Sequence, residues 1–225
     1  MAFVKFVTFL RKPTRVAAIA ATLVCSGSAI GTISAPDAEA DPCPDVELVF
    51  ARGTSEPPGI GRVGQALADA LQPQLGGRTL GTYAVNYPAT YDFLAAADGA
   101  NDATNHITAM SAQCPSTSIV LGGYSQGAAV VDMLLGVPPL GNKVGAVGSA
   151  PPLPADLTSK VAAAAVFGNP SAKFSVPLSS RFGKAIDLCS DGDPICSDGR
   201  NPFAHTHYES SPFVPQAAGF ISGLV

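Results

Sequence analysis

The sequence contains no tryptophan, and only 13% of its 225 residues are charged, against 47% that are hydrophobic. Globular chains carry about 25% charged residues, and disordered chains carry more charge and fewer apolar residues, so a disordered chain is excluded. Lys and Arg number 13 against 17 Asp and Glu, and the one dense basic run lies within the first fifteen residues. A nucleic-acid surface needs clustered basic residues on a folded face, so we expect no nucleic-acid partner.

The first 40 residues have the three-part pattern of a secretory signal peptide. A basic start precedes an apolar run over residues 16–33, and small residues follow at Ala38-Glu39-Ala40. A membrane anchor is the alternative, but Ser, Thr and Gly interrupt the run and leave fewer than the ~20 strongly apolar residues that a spanning helix needs. We therefore predict a signal peptide over residues 1–40, followed by one secreted, extracellular domain over residues 41–225. With nine Lys and Arg against fifteen Asp and Glu, that domain has a net charge of −6.

Cysteine is scarce, and removal of the predicted signal leaves four: Cys43, Cys114, Cys189 and Cys196. An even number in an exported protein predicts disulfides. Of the three possible pairings we expect Cys189 with Cys196, because a six-residue spacer lets them meet across one tight loop, and therefore Cys43 with Cys114. Neither pair has C-x-x-C spacing, which disfavours a zinc site, so we expect no metal and no cofactor.

Short apolar runs alternate with helical periodicities along the predicted mature chain. The runs predict strands over residues 46–51, 79–86, 117–122, 143–150 and 161–167, and the periodicities predict helices over residues 61–75, 92–113, 126–135 and 215–224. Strands and helices that alternate at this spacing favour a central, mostly parallel sheet with helices on both faces. Consecutive apolar residues in the third strand are typical of a strand that is covered on both faces.

The pentapeptide Gly123-Tyr124-Ser125-Gln126-Gly127 matches G-x-S-x-G and lies between a predicted strand and a predicted helix. In that context the motif indicates a nucleophilic serine on a sharp turn, with glycine on both sides because the neighbouring backbone passes closely. The backbone N–H of Gln126 would then point toward the oxygen of an attacked carbonyl. An ordinary strand-to-helix turn with a capping serine is the alternative, and the pentapeptide alone does not decide between them.

A serine nucleophile requires a histidine base and an orienting carboxylate, in the chain order Ser, Asp, His for a hydrolase of this topology. His106 precedes Ser125 and lies in a helical pattern, so we assign it a structural role. His205 and His207 follow the acidic segment 187–196, and one of them should be the base.

Four motifs in order resemble those of the cutinases, and most closely the mycobacterial-type cutinase-like secreted esterases. They are Ala51 to Glu56 at the first strand, Gly123 to Gly127 at the nucleophile turn, Cys189 to Cys196 as C-x-x-G-D-x-x-C, and His205 to Tyr208 as H-x-x-Y. The resemblance implies a three-layer α/β-hydrolase fold. It also implies Ser125 as nucleophile, Asp193 as orienting carboxylate and His205 as base, with Thr54 and Gln126 forming the oxyanion hole.

Other residues compete for these roles. Asp187, Asp191 and Asp198 are alternative carboxylates, but each lies away from the family position. His207 is the rival of His205, and the spacing to Tyr208 favours His205. For Arg52 and Glu56 we predict a buried ion pair that braces the Thr54 loop.

The predicted function is hydrolysis of short- to medium-chain acyl esters through an acyl-enzyme. Only eleven residues separate Asp193 from His205, which leaves no room for a large lid, so we expect an open site. Apolar loop residues are candidates for an acyl groove: Pro138, Pro139, Leu140, Pro202, Phe203 and Phe213.

We expect a monomer with a lipid or other acyl-ester substrate and transient contact with a lipid interface. An acyltransferase, a polysaccharide deacetylase or a non-catalytic secreted interaction protein on this fold remain alternatives.

Overall fold

A computed structural model describes residues 43–140 and 147–225, and its centre is a five-stranded parallel sheet. The strands are β1 (Val46–Ala51), β2 (Leu80–Ala84), β3 (Ser118–Tyr124), β4 (Val161–Phe167) and β5 (Ala185–Leu188), in the order β2-β1-β3-β4-β5. Every neighbouring pair is parallel. The α/β prediction is therefore confirmed.

Helices cover both faces of this sheet. The α-helices are α1 (Gly61–Leu71), α2 (Ala96–Gln113), α3 (Gln126–Leu134), α4 (Ala155–Thr158), α5 (Pro170–Lys173) and α6 (Phe213–Ser222). Short 3₁₀ turns cover Gln72–Leu75, Phe93–Ala95, Leu178–Ser180, Pro202–His205 and Tyr208–Ser210. The first of these extends α1 through Pro73 to the end of the predicted helix. None of the helices in the described ranges is long and apolar enough to cross a membrane.

Alternate residues of the strands enter two separate cores, which makes the molecule three-layered. Leu48 and Phe50 pack with α1 and α6, whereas Val49 and Ala51 pack with α2 and α3. Because successive side chains of a strand point to opposite faces, a strand covered on both sides is apolar throughout. All six residues of β1 and the last six of β3 are buried accordingly.

Two predictions about strands require correction. The sequence pattern misses β5, because this strand has only four residues and lies next to the acidic segment. Within the predicted strand 143–150, residues 147–150 are irregular, and the rest lies outside the described residues. Gly148 has a left-handed φ of +74°, and two prolines follow at positions 151 and 152, both of which oppose an extended strand.

Both predicted disulfides are confirmed. Cys43 is bonded to Cys114, which ties the segment before β1 to the end of α2. Cys189 is bonded to Cys196 and closes a small ring directly after β5. Because the strands are parallel, their carboxyl ends meet at one edge of the sheet, and this ring lies at that edge together with the loops after β1, β3 and β4. The fold therefore brings four loops distant in sequence to one place.

Candidate active site

Ser125 occupies a strained turn between β3 and α3. Its φ of 56° and ψ of −115° lie outside the common regions for a residue with a side chain. A Cβ at Gly123 would lie 2.3 Å from the Gly127 carbonyl oxygen, and a Cβ at Gly127 would lie 1.9 Å from the Ala51 carbonyl oxygen. Glycine is therefore required on both sides of Ser125 so that the backbone of three segments can pass closely.

His205 lies at the end of the turn Pro202–His205, and its ring faces Ser125. His205 Nε2 is 2.8 Å from Ser125 Oγ, and His205 Nδ1 is 2.8 Å from Asp193 Oδ2. The ionised carboxylate can only accept, so Nδ1 carries the proton and Nε2 is free to accept the serine proton. Tyr124 fixes the backbone of this turn, because its hydroxyl donates to the His205 carbonyl oxygen.

Asp193 is fully buried inside the Cys189–Cys196 ring. Its Oδ1 accepts from the Ile195 backbone N–H at 2.7 Å, and its Oδ2 accepts from both His205 and the Tyr208 hydroxyl, the latter at 2.6 Å. Burial by itself raises the pKa of Asp193, but these hydrogen bonds outweigh it, and the pKa lies below its usual value. The group is therefore ionised at neutral pH and is held in one orientation.

The alternative histidines and carboxylates lie elsewhere. His207 contacts Thr206 Oγ1 and the Phe203 carbonyl oxygen, and it is exposed. His106 lies on α2, and its Nε2 is 2.9 Å from Glu47 Oε2. Asp191 is exposed, while Asp187 accepts hydrogen bonds from the 178–179 turn and from Asn169.

Thr54 and Gln126 are next to each other beside Ser125, as the resemblance implies. The Thr54 hydroxyl is 3.2 Å from the Gln126 side-chain oxygen, and Gln126 is 4% exposed. Gln126 is the first residue of α3, so its backbone N–H has no acceptor within the helix. Within the described part of the chain, the backbone N–H groups of Thr54 and Gln126 make no hydrogen bond. Two donors are therefore available beside the serine hydroxyl.

The predicted ion pair between Arg52 and Glu56 is wrong. Arg52 is buried, and it donates to the backbone carbonyl oxygens of Glu56 and Tyr87 at 2.9 and 2.7 Å, with its guanidinium carbon 5.2 Å from the centre of the Tyr87 ring. The Glu56 carboxylate instead accepts from the backbone N–H groups of Gly53 at 2.7 Å and Arg62 at 3.0 Å. The loop turns at Ser55, whose φ is 64°, and the side chains of Arg52 and Glu56 on either side of this turn have different partners. The two residues still brace the Thr54 loop, but through the backbone.

Arg62 connects this loop to the histidine segment. Its guanidinium is 3.0 Å from Glu209 Oε1 and 3.5 Å from Glu56 Oε1. The Arg62 side chain is 59% exposed, so solvent screens both pairs and each contributes little to stability.

A cleft of about 580 Å³ opens at Ser125 and His205. Of the six apolar residues proposed for an acyl groove, Leu140 lines it. Phe203 is 73% exposed to solvent, and Phe213 packs against Tyr208 beneath the histidine segment. The rest of the apolar wall comes mainly from residues that the sequence analysis did not single out: Tyr91, Phe93, Ala129, Val147 and Ile195. Ala129 lies in α3, whereas Tyr91, Phe93, Val147 and Ile195 lie in loops or short turns, and these segments meet only in the folded chain.

No group of three or more His, Cys, Asp or Glu side chains in residues 43–140 and 147–225 is arranged to hold a metal ion. The described polar groups of the cleft are instead a serine hydroxyl, an imidazole, a buried carboxylate and backbone donors. This set is suited to nucleophilic acyl transfer.

Comparison with known sequences identifies a family. The cutinase family model matches residues 42–225. The chain is 48% identical over 212 residues to phospholipase Culp4 of Mycobacterium tuberculosis, covering 91% of each protein. It is 51% identical over 199 residues to the probable carboxylesterase Culp3 of the same organism, covering 86% of this chain and 74% of that protein.

Two solved structures of similar fold are a cutinase and an acetylxylan esterase. A Trichoderma reesei cutinase in complex with a phosphonate inhibitor is 35% identical, with a TM-score of 0.64, and the similarity covers 82% of this chain and 78% of that one. An acetylxylan esterase is 25% identical, with a TM-score of 0.67, over 81% of this chain and 99% of that one.

Proposed function

The chain belongs to the cutinase family and is an esterase, and from that premise we propose that it hydrolyses short- to medium-chain acyl esters with Ser125 as nucleophile. The observation that carries this proposal is the hydrogen-bonded chain from Ser125 Oγ through His205 to Asp193, with both links at 2.8 Å, at the cleft.

In the proposed reaction, Ser125 Oγ forms a bond to the ester carbonyl carbon as its proton passes to His205 Nε2. The carbonyl oxygen becomes an oxyanion. When the tetrahedral intermediate collapses, the carbon–oxygen bond to the alcohol breaks and His205 gives its proton to the leaving oxygen. Water then attacks the acyl-Ser125, His205 takes and returns one proton, and the carboxylic acid leaves. Asp193 stabilises the imidazolium that forms in each half-reaction.

We assign the oxyanion hole to the backbone N–H groups of Thr54 and Gln126. The support is that both residues lie beside Ser125 and that the Gln126 donor is at the N-terminus of α3, where the helix dipole favours negative charge. The braced loop around Glu56 holds Thr54 in place before substrate arrives, and such preorganised donors stabilise a developing charge without reorganisation.

The cleft supports an acyl substrate of moderate length. Its volume lies in the range of small-molecule sites, and its apolar residues would accept an alkyl chain. Tyr91 lines the cleft and is strongly exposed. Leu94, next to the lining residue Phe93, and Phe203, two residues before His205, are exposed as well, which supports transient contact with a lipid or polymer surface. The net charge of −6 over residues 41–225 favours contact with an uncharged surface over an anionic one.

We further propose that the protein is exported through residues 1–40 and acts outside the cell. Two disulfides in a chain of this size support an oxidising compartment. N-terminal sequencing of the protein recovered from culture medium tests this. A new terminus near residue 41 is expected, and an intact Met1 in protein retained by cells would contradict it.

Purified mature protein assayed on p-nitrophenyl esters of increasing chain length tests the hydrolase proposal. We expect the highest rates with short to medium chains, and a fall of at least about 10³-fold in Ser125→Ala. An alkyl phosphonate should label the wild-type chain once and leave Ser125→Ala unlabelled. Equal rates in the two proteins would refute the proposal. Product formed only in the presence of an alcohol acceptor would identify an acyltransferase, and a rate on acetylated xylan above that on the synthetic esters would identify a deacetylase.

A further inference from the structure

The Tyr208 hydroxyl contacts three residues of the Cys189–Cys196 ring, and the proposed reaction gives Tyr208 no role. Its side chain is 1% exposed. Its hydroxyl oxygen accepts from the Ser190 backbone N–H at 2.8 Å and lies 3.5 Å from Cys196 Sγ. Because the Ser190 donor occupies a lone pair of the phenol, the phenolic hydrogen is left for Asp193 Oδ2, at 2.6 Å.

A single carboxylate oxygen therefore receives two donors. His205 Nδ1–H and the Tyr208 hydroxyl both reach Asp193 Oδ2, while Oδ1 accepts from the backbone N–H of Ile195. Hydrogen bonds to an ionised acceptor are stronger than neutral ones, and each takes a share of its negative charge. The phenol thus acts on the same atom that orients the imidazole.

We propose that Tyr208 is a positioning residue for this esterase: its hydroxyl holds Asp193 Oδ2 in line with His205 and limits the negative charge that the carboxylate directs at the imidazole. The proposal rests on the function assigned above to Ser125, His205 and Asp193. The phenol ring is itself fixed by packing, with ring centres 6.0 Å from Phe167 and 6.0 Å from Phe213. Tyr208 does not touch the reacting atoms.

Two consequences separate this role from simple packing. Without the phenol, Asp193 keeps only the Ile195 and His205 donors and aligns the imidazole less uniformly, so we expect kcat to fall roughly tenfold with KM changed less than twofold. The carboxylate would also direct more charge at His205 and stabilise its protonated form. Because the base must be neutral to accept the serine proton, the acid limb of the kcat/KM profile should move to higher pH by about 0.5 to 1 unit.

The test compares Tyr208→Phe with Ser197→Ala on a soluble short-chain ester across pH. The Ser197 hydroxyl donates to the Asp193 backbone carbonyl oxygen at 2.6 Å, so this control weakens the same segment without touching the carboxylate. We expect the acid limb to move in Tyr208→Phe and to keep its wild-type position in Ser197→Ala. An unmoved limb in Tyr208→Phe, or an equal movement in Ser197→Ala, overturns the inference.

A second measurement tests the inference even if the Tyr208→Phe variant does not fold. Replacing all five tyrosines by 3-fluorotyrosine makes the phenol more acidic and a stronger donor, so the acid limb should move to lower pH. The same labelling in Tyr124→Phe removes the phenol that donates to the His205 carbonyl oxygen. An unmoved limb in both labelled proteins overturns the inference. If Ser125→Ala is inactive and the limbs stay fixed, only the role of Tyr208 is lost, whereas activity in Ser125→Ala removes the proposed function as well.

Discussion

Replacing Asp132 by asparagine should stabilise the protein at neutral pH. Asp132 lies in α3 and is fully buried. Its Oδ1 accepts from Asn169 Nδ2 at 3.1 Å, and its buried Oδ2 faces the Ser171 hydroxyl. Burial, reinforced by the charge of Asp187, raises the pKa of Asp132 to about 8 against the lowering effect of Asn169 and Ser171.

The size of the effect follows from the change in pKa on folding. The unfolded chain releases the Asp132 proton near pH 3.8, and the folded chain retains it up to about pH 8. Stability therefore falls as pH rises between these values, by about 1.4 kcal/mol per pH unit, and the accumulated cost at pH 7 reaches about 4 kcal/mol. Asparagine carries no charge, and its NH₂ group can donate to the oxygen of the Ser171 hydroxyl, which faces Asp132. We expect a gain of about 2 to 4 kcal/mol at pH 7, or roughly 4 to 16 °C in Tm, and little difference at pH 4.

Urea and thermal unfolding of wild type and Asp132→Asn at pH 4, 5.5, 7 and 8.5 measure this difference. Asp187→Asn is the matched control, because Asp187 accepts from the Leu178 and Ser179 backbone N–H groups and an amide would place a donor against one of them. The control should lose stability where Asp132→Asn gains it. A stability difference between Asp132→Asn and wild type that does not grow from pH 4 to pH 7 would refute the reasoning.

Two further predictions concern the loops around Ser125. Glu56→Gln places an NH₂ group against one of the backbone donors of Gly53 and Arg62. We therefore expect the free energy of unfolding, measured in urea, to fall by about 1 to 3 kcal/mol, and kcat to fall because Thr54 is displaced. An unchanged kcat would contradict the bracing role. Reduction of Cys189–Cys196, verified by mass spectrometry, should lower kcat strongly and Tm only slightly. The disulfide closes a short loop, so it contributes little to stability, but that loop contains Asp193. Full activity after reduction would show that the ring does not position Asp193.

Local patterns in the sequence were sufficient for most of the fold. The apolar runs at β1, β3 and β4 are long enough to be read as buried strands, and the 161–167 prediction agrees with β4 at both ends. β5 could not be recognised, because a four-residue strand at the sheet edge has no distinctive periodicity. The Cys189–Cys196 pairing was predictable because a short spacer restricts the two ends to one another, and Cys43–Cys114 followed by elimination.

The candidate site was predictable only as far as motifs reach. The motifs nominate Ser125, Asp193 and His205, and the structure brings these side chains within hydrogen-bond distance. The motifs did not indicate that Arg52 and Glu56 bind separate backbone groups, because that depends on how the loop turns at Ser55. The motifs also did not indicate that Tyr208 and His205 both donate to Asp193 Oδ2, although Tyr208 is the last residue of the H-x-x-Y motif.

By itself, the sequence determined the features that depend on neighbours along the chain: strand and helix periodicity, the glycines at 123 and 127 that permit a tight turn, and the short disulfide ring. Only the tertiary structure decided which side chains from distant segments share one environment. Ser125 and His205 are 80 residues apart, and Asp132 differs from an exposed aspartate only in what packs around it. The burial of a side chain and the direction in which it points depend on how the helices and the sheet pack together. The charge state of a carboxylate and the hydrogen-bond partner of a hydroxyl are therefore defined only in the folded chain.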